Sequence, residues 1–281
     1  MSTPSSPARR PLRVTTPDGV GIAAELFGAQ EGPSLLFIHG FSQAGLCWSR
    51  QTASPTLSSF RMATYDFRGH GASDRPATPE FYREPARWAD EVAAVIAACD
   101  LVRPVLVGWS YAGRIICDYV AAHGTAGIGG IVFVDAATAN ERRFYGRCNR
   151  LMRQMCSTDV AENVAATRTF LRHCFAAPIP QPLFDQLFGV NMMVPPPVRA
   201  NLFDRACDYD ELLRTLDRPV LVAHGARDEV VSPAMAEHIA RIVPGARLDL
   251  YDGVGHAPFI EAAERFNSTL AAFTREVAGK A

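Results

Sequence analysis

The stretch that most constrains the fold is Val105-Leu106-Val107-Gly108-Trp109-Ser110-Tyr111-Ala112-Gly113. A β-branched apolar run ends in a small residue, a serine stands two positions on, and a second small residue follows two later. Arg114 to Ala122 then carries apolar residues at helical spacing. A buried strand must therefore turn within about one residue into a helix, with Ser110 at the apex of a nucleophile elbow. The small residues answer a steric demand, because side chains at 108 and 112 would press on the neighbouring strand and helix. Ala112 stands where such turns usually have glycine, and Gly113 beside it suits close packing of the helix. An ordinary strand-to-helix turn with a capping serine has a similar local sequence, so partners elsewhere in the chain must decide the chemistry.

The rest of the chain repeats strand and helix in alternation. Residues 12–27 hold two runs around Pro17-Asp18-Gly19, which predicts an antiparallel hairpin. Ser34–Ile38, Met62–Tyr65, Ile131–Val134, Pro219–Ala223 and Arg247–Tyr251 read as further strands. Helices are expected near Trp48, over 87–99, over 233–243 and over 258–277. This order implies a mostly parallel, doubly wound sheet. Residues 140–210 break the rhythm with helical patterns, Pro178, Pro180, Pro182 and Pro195–Pro197, and no strand run. The expected organisation is a disordered leader at 1–11, a core formed by 12–139 and 211–281, and a helical cap at 140–210. A length of 281 residues with 48% apolar side chains suits one core with such an insertion.

Composition removes several function classes. The net charge of −1 favours neither nucleic acid nor an anionic membrane as partner. No apolar run reaches membrane-spanning length, and the first eleven residues lack the apolar segment of a secretory signal. The seven cysteines are scattered and never form a CxxC pair, so buried free thiols and a cytoplasmic location are expected. No metal-ligand spacing, dinucleotide fingerprint or Walker loop is present, so no cofactor is expected.

In an open parallel sheet the chemistry gathers at the carboxyl ends of strands. There the sequence places His39-Gly40-Phe41-Ser42, Asp66-Phe67-Arg68-Gly69-His70-Gly71-Ala72-Ser73, Ser110, His224-Gly225-Ala226-Arg227-Asp228 and Asp252-Gly253-Val254-Gly255-His256. A serine, then an acid, then a histidine, each after a strand, is the order of a hydrolase triad. In these motifs, over residues 12–278, the chain resembles the α/β-hydrolase superfamily. Within it, the chain is most similar to cofactor-free esterases of the non-haem haloperoxidase (perhydrolase) group.

The resemblance implies an α/β-hydrolase fold and roles for particular residues. Ser110 would be the nucleophile, His256 its base, and Asp228 the acid that orients the imidazole. Asp135, after the preceding strand, is the rival acid, and Asp252 lies too near His256 in sequence. The backbone N–H groups of Phe41 and Tyr111 would form the oxyanion hole, and the rings of Phe41 and Trp109 would wall the substrate pocket, core packing being the equal alternative. His39, His70 and His224 read as structural, as do Asp66 and Arg68. The activity implied is hydrolysis of a small to medium carboxylic ester or lactone through an acyl-enzyme. Perhydrolysis on the same triad, or a ligand receptor using the pocket, are the alternatives.

Overall fold

In a computed structural model, which describes residues 9–203, 205 and 207–279, the chain forms one eight-stranded sheet. The strands are β1 (Arg10–Thr15), β2 (Gly21–Gly28), β3 (Ser34–Ile38), β4 (Arg61–Asp66), β5 (Val105–Trp109), β6 (Gly130–Val134), β7 (Val220–Gly225) and β8 (Arg247–Tyr251). Their spatial order is β1-β2-β4-β3-β5-β6-β7-β8. β2 pairs antiparallel with β1 and β4, and every other pairing is parallel.

Every residue of β3, β5, β6 and β7 is buried, which explains why these strands read as continuous apolar runs. Side chains alternate between the two faces. Leu36, Ile38, Leu106, Ile131 and Phe133 join the core on one face, and Leu35, Phe37, Val105, Val107 and Val132 join that on the other. The edge strands β1 and β8 carry more exposed residues.

The helices are α1 (Ser49–Thr52), α2 (Glu80–Arg83), α3 (Pro85–Ala98), α4 (Ala112–His123), α5 (Asn149–Gln154), α6 (Val160–His173), α7 (Gln181–Met192), α8 (Pro196–Phe203), α9 (Asp210–Arg214), α10 (Pro233–Ile242), α11 (Pro258–Glu261) and α12 (Ala263–Gly279). Trp88 and Val92 of α3 and Ile115 and Ile116 of α4 pack into the first core, whereas Phe266, Leu270 and Phe273 of α12 pack into the second.

Three expectations shift. The first strand begins at Arg10, which pairs with Leu26, so Arg10 and Pro11 belong to the sheet, and residues 1–8 of the expected leader lie outside the described residues. The expected helix over 258–277 is two helices parted at Ala262, whose φ of −125° and ψ of 44° leave the helical range. α2 falls in a stretch that carries no helical period. None of the seven cysteines forms a disulfide among the described residues, and six of them are buried. No helix among the described residues is long and apolar enough to cross a membrane.

Between β6 and β7 the chain leaves the sheet and returns to the same place. Asn140 N–H donates to Cys207 C=O at 2.9 Å, Tyr209 N–H donates to Thr138 C=O at 3.2 Å, and Ala139 bridges Asp208. The excursion holds α5, α6, α7 and α8. Arg199 of α8, fully buried, draws these helices together by donating to Met155 C=O and Asn163 Oδ1, both at 2.8 Å. Burial lowers its guanidinium to about 10.

Candidate active site

The strand order places the site. β3 has β4 on one side and β5 on the other, so the chain leaves their carboxyl ends in opposite directions and a crevice opens there. His39, Gly40 and Phe41 follow β3, and Ser110 follows β5. Gly40 lies against Ser110, since a Cβ built on it would stand 3.2 Å from Ser110 Cβ and 3.1 Å from the Trp109 ring.

Ser110 has a φ of +56°, a left-handed conformation that side chains other than glycine's rarely adopt. Its N–H donates to Val134 C=O at 2.8 Å, and its C=O accepts from Gly113 N–H and Ala137 N–H, both at 3.0 Å. A Cβ on Gly108 would meet Ile116 Cδ1 at 2.5 Å, which is the predicted steric reason for the first small residue. Ala112 is accommodated, fully buried. Gly113 carries the tighter demand, as its Cβ would meet Ala136 Cβ at 2.9 Å and Ala137 C=O at 3.0 Å.

His256 Nδ1 lies 2.7 Å from Asp228 Oδ2. Asp228 Oδ1 accepts from Val230 N–H at 2.7 Å and Val231 N–H at 3.0 Å, so the carboxylate cannot rotate without losing backbone bonds. Burial alone would push the Asp228 carboxyl up, but His256 and His224 hold it well below the usual carboxylate range. The His256 loop is fixed on three sides. Trp109 Nε1–H donates to His256 C=O at 2.7 Å, His256 N–H donates to Cys174 C=O at 2.8 Å, and Glu261 accepts from Gly255 N–H at 2.9 Å. Glu261 also accepts from Ala176 N–H at 2.8 Å, which ties the loop to the end of α6.

The rival acids prove to be neighbours. Asp135 lies fully buried with Oδ1 accepting from Gly225 N–H at 2.8 Å, and His224 Nε2 stands 3.8 Å from it and 3.2 Å from Asp228. Burial and the neighbouring Asp228 push the Asp135 carboxyl well above the usual range. Asp228 therefore contacts His256, and Asp135 stands behind it.

The remaining predicted residues fall into two groups. Phe41, Trp109, Ser110 and His256 line one cavity of about 10 Å³, at the lower limit for one water. Among the described residues neither Phe41 N–H nor Tyr111 N–H is bonded to an acceptor. The others are bound into the fold. His39 Nε2 accepts from Phe67 N–H at 3.1 Å, and burial lowers this imidazole to about 4. Arg68 binds Glu91 and Asp18, both at 2.7 Å, and Asp66 accepts from Gly45 and Ala72 N–H. His70 is buried with Nδ1 on Arg68 C=O.

Met152, Phe170, Leu171, Cys174 and Asn191 complete the cavity from the 140–210 segment. Sequence periodicity marked that segment as helical but could not say which side chains face the serine. Two groups of ligand-type side chains also lie within 4.8 Å of one another, Asp135–His224–Asp228 and Cys148–His173–Glu229. In the first, Asp228 is committed to His256, Val230 and Val231, and Asp135 Oδ1 to Gly225 N–H. In the second Glu229 is paired with Arg147 and His173.

The chain is similar to known proteins in sequence and fold. Residues 35–269 match the alpha/beta hydrolase family. The chain belongs to that family. It is 28% identical to a non-heme chloroperoxidase of Streptomyces lividans over 93% of this chain and 99% of that one. A bifunctional esterase/perhydrolase of Acinetobacter calcoaceticus is 26% identical, with 93% of this chain and 99% of that protein covered. Among solved structures, a putative aryl esterase from Burkholderia cenocepacia superposes with a TM-score of 0.92 at 35% identity, covering 96% of this chain and 100% of that one. The hydrolase fold and the resemblance to haloperoxidase-type esterases are thereby established.

Proposed function

We propose that this α/β hydrolase cleaves a small to medium carboxylic ester or lactone through an acyl-enzyme on Ser110, with residues 140–210 as a cap over the site. The observation that carries the reading is the 2.7 Å contact between His256 Nδ1 and Asp228 Oδ2 beside a cavity that His256 shares with a left-handed Ser110. Asp228 keeps the proton on Nδ1 and leaves the Nε2 lone pair free to take the Ser110 proton. Ser110 Oγ then attacks the carbonyl carbon, and the oxyanion meets the unoccupied N–H groups of Phe41 and Tyr111. One such donor typically lowers the barrier by ~3–4 kcal/mol. His256 passes its proton to the leaving alcohol, and in the second half it activates a water that frees the acid and restores Ser110.

Perhydrolysis is the second reading, favoured by the chloroperoxidase and esterase/perhydrolase relatives. Hydrogen peroxide would replace water in the deacylation step and give a peracid. The test is hydrolysis of 4-nitrophenyl esters from acetate to decanoate by the wild type and Ser110→Ala, without and with peroxide. Release of nitrophenol that Ser110→Ala abolishes is expected. An ester-cleaving Ser110→Ala protein would overturn the reading.

A further inference from the structure

Outside the small Ser110–His256 cavity lies a vestibule of about 320 Å³. A cleft of about 40 Å³ lies between the two, sharing Ser110 and Met152 with the cavity and Tyr111, Arg114 and Met152 with the vestibule. The vestibule wall carries Arg114, Arg150 and Arg153, with Asn140 and Asn149 between them, and no described acidic residue lines it. None of the three arginines has a carboxylate within ion-pair distance among the described residues.

Arg114 is the unusual member. It stands four residues after Ser110, in the first turn of α4, and only 9% of it is exposed. A buried guanidinium is ordinarily paired, because an isolated one is costly to desolvate. Among the described residues its hydrogen bonds are to neutral acceptors, Nη1 to Arg205 C=O at 3.1 Å and Nη2 to Asn140 Oδ1 at 2.7 Å. Its Nε has no hydrogen-bond partner among them. The neutral acceptors fix the head beside the cleft without cancelling its charge. Nearby Asp118 does not supply the missing partner, as its oxygens bind Arg205 and Tyr209.

We propose that this vestibule is an anion subsite, and that the ester or lactone cleaved at Ser110 carries a second, ionised carboxylate that Arg114 receives. The inference rests on the esterase reading above. One buried guanidinium matches one unit of negative charge, and a dianionic phosphate would leave charge uncompensated in the same place. Arg150 and Arg153, both exposed, would draw the anion to the mouth.

The experiment compares the mono(4-nitrophenyl) esters of succinic, glutaric and adipic acids with 4-nitrophenyl butyrate, valerate and hexanoate. The wild type is expected to favour at least one anionic ester over its neutral counterpart by about tenfold or more in kcat/KM, mainly through KM. That ratio should fall to about one in Arg114→Met and recover in part in Arg114→Lys, which keeps the charge. In Arg150→Gln/Arg153→Gln, whose changes lie at the exposed mouth, the ratio should fall less and lose part of its salt dependence. A wild-type ratio at or below one, or a ratio unmoved by Arg114→Met, would overturn the inference while leaving the esterase reading intact. If no ester is cleaved, titration calorimetry decides the subsite separately. Adipate binding that hexane-1,6-diol does not show, and that Arg114→Met loses, supports it, and absence of adipate binding overturns it. Inorganic phosphate binding more tightly than adipate would overturn the carboxylate assignment.

Discussion

Replacing Asp228 by asparagine removes one charge and changes almost no volume, and the geometry dictates where the new amide points. The Oδ1 position accepts from Val230 and Val231 N–H at 2.7 and 3.0 Å, so the amide oxygen must stay there. The amide nitrogen is then forced onto the Oδ2 position, 2.7 Å from His256 Nδ1 and 3.2 Å from His224 Nε2. It carries hydrogens and meets His256 Nδ1, so the imidazole moves its proton to Nε2 to offer an acceptor. An Nε2 that holds a proton cannot take one from Ser110. Loss of the correct tautomer in a serine triad costs about 10⁴ in kcat, or roughly 5 kcal/mol of barrier. Steady-state cleavage of 4-nitrophenyl acetate by Asp228→Asn, with circular dichroism to verify folding, reads this directly. Asp135→Asn is the matched comparison. Asp135 makes no hydrogen bond to His256 among the described residues, so its kcat should fall by no more than about tenfold. A folded Asp228→Asn enzyme within tenfold of wild type, or Asp135→Asn as the more damaging change, would refute the assignment of the acid.

Other consequences follow from single contacts. Trp109→Phe leaves His256 C=O without its donor, which should cost about 1–3 kcal/mol and lower the midpoint of thermal unfolding by several degrees. Calorimetry would expose an unchanged midpoint. Met152 lines the serine cavity, the cleft and the vestibule, so Met152→Ala should join them and move the preferred acyl chain to greater length in the nitrophenyl series. An unshifted optimum would show that another side chain sets the limit. His39, lowered to about 4 by burial, stays neutral in the fold while the unfolded chain takes a proton near pH 6.5. Its contribution is therefore complete above about pH 6.5 and declines as pH falls toward 4. The stability advantage of wild type over His39→Gln should shrink by about 1.4 kcal/mol per pH unit across that window. Denaturant titrations at several pH values would reveal a constant advantage if His39 titrates normally in the fold.

Much of the site was legible because the fold delivers it at strand ends. Ser110, Asp228 and His256 each follow an apolar run, and the structure brings His256 onto Asp228 and into one cavity with Ser110. Gly113 was legible as a close-packing residue because a helix starting one residue earlier must pass the chain after β6. The choice between Asp135 and Asp228 was not decidable by local spacing, since β6 and β7 are adjacent and deliver both carboxylates to the same place. Arg114 lay in plain view beside the serine, yet its neutral hydrogen-bond partners, Asn140 and Arg205, stand 26 and 91 residues away. Met152 and Glu261 escaped for the same reason. Their contacts cross between the insertion and the core, and helical periodicity identifies a buried face without identifying its neighbour. The break at Ala262 is set by backbone geometry in a sequence that keeps its apolar pattern throughout.

The central claim is that Ser110 becomes a covalent nucleophile when His256, held by Asp228, removes its proton. Reaction with an alkyl fluorophosphonate, followed by mass spectrometry of the digested protein, tests it most directly. One phosphonyl adduct is expected, on the peptide that contains Ser110, formed by the wild type and not by a folded His256→Ala protein. A wild type that forms no adduct, an adduct on another residue, or undiminished labelling of His256→Ala would contradict it.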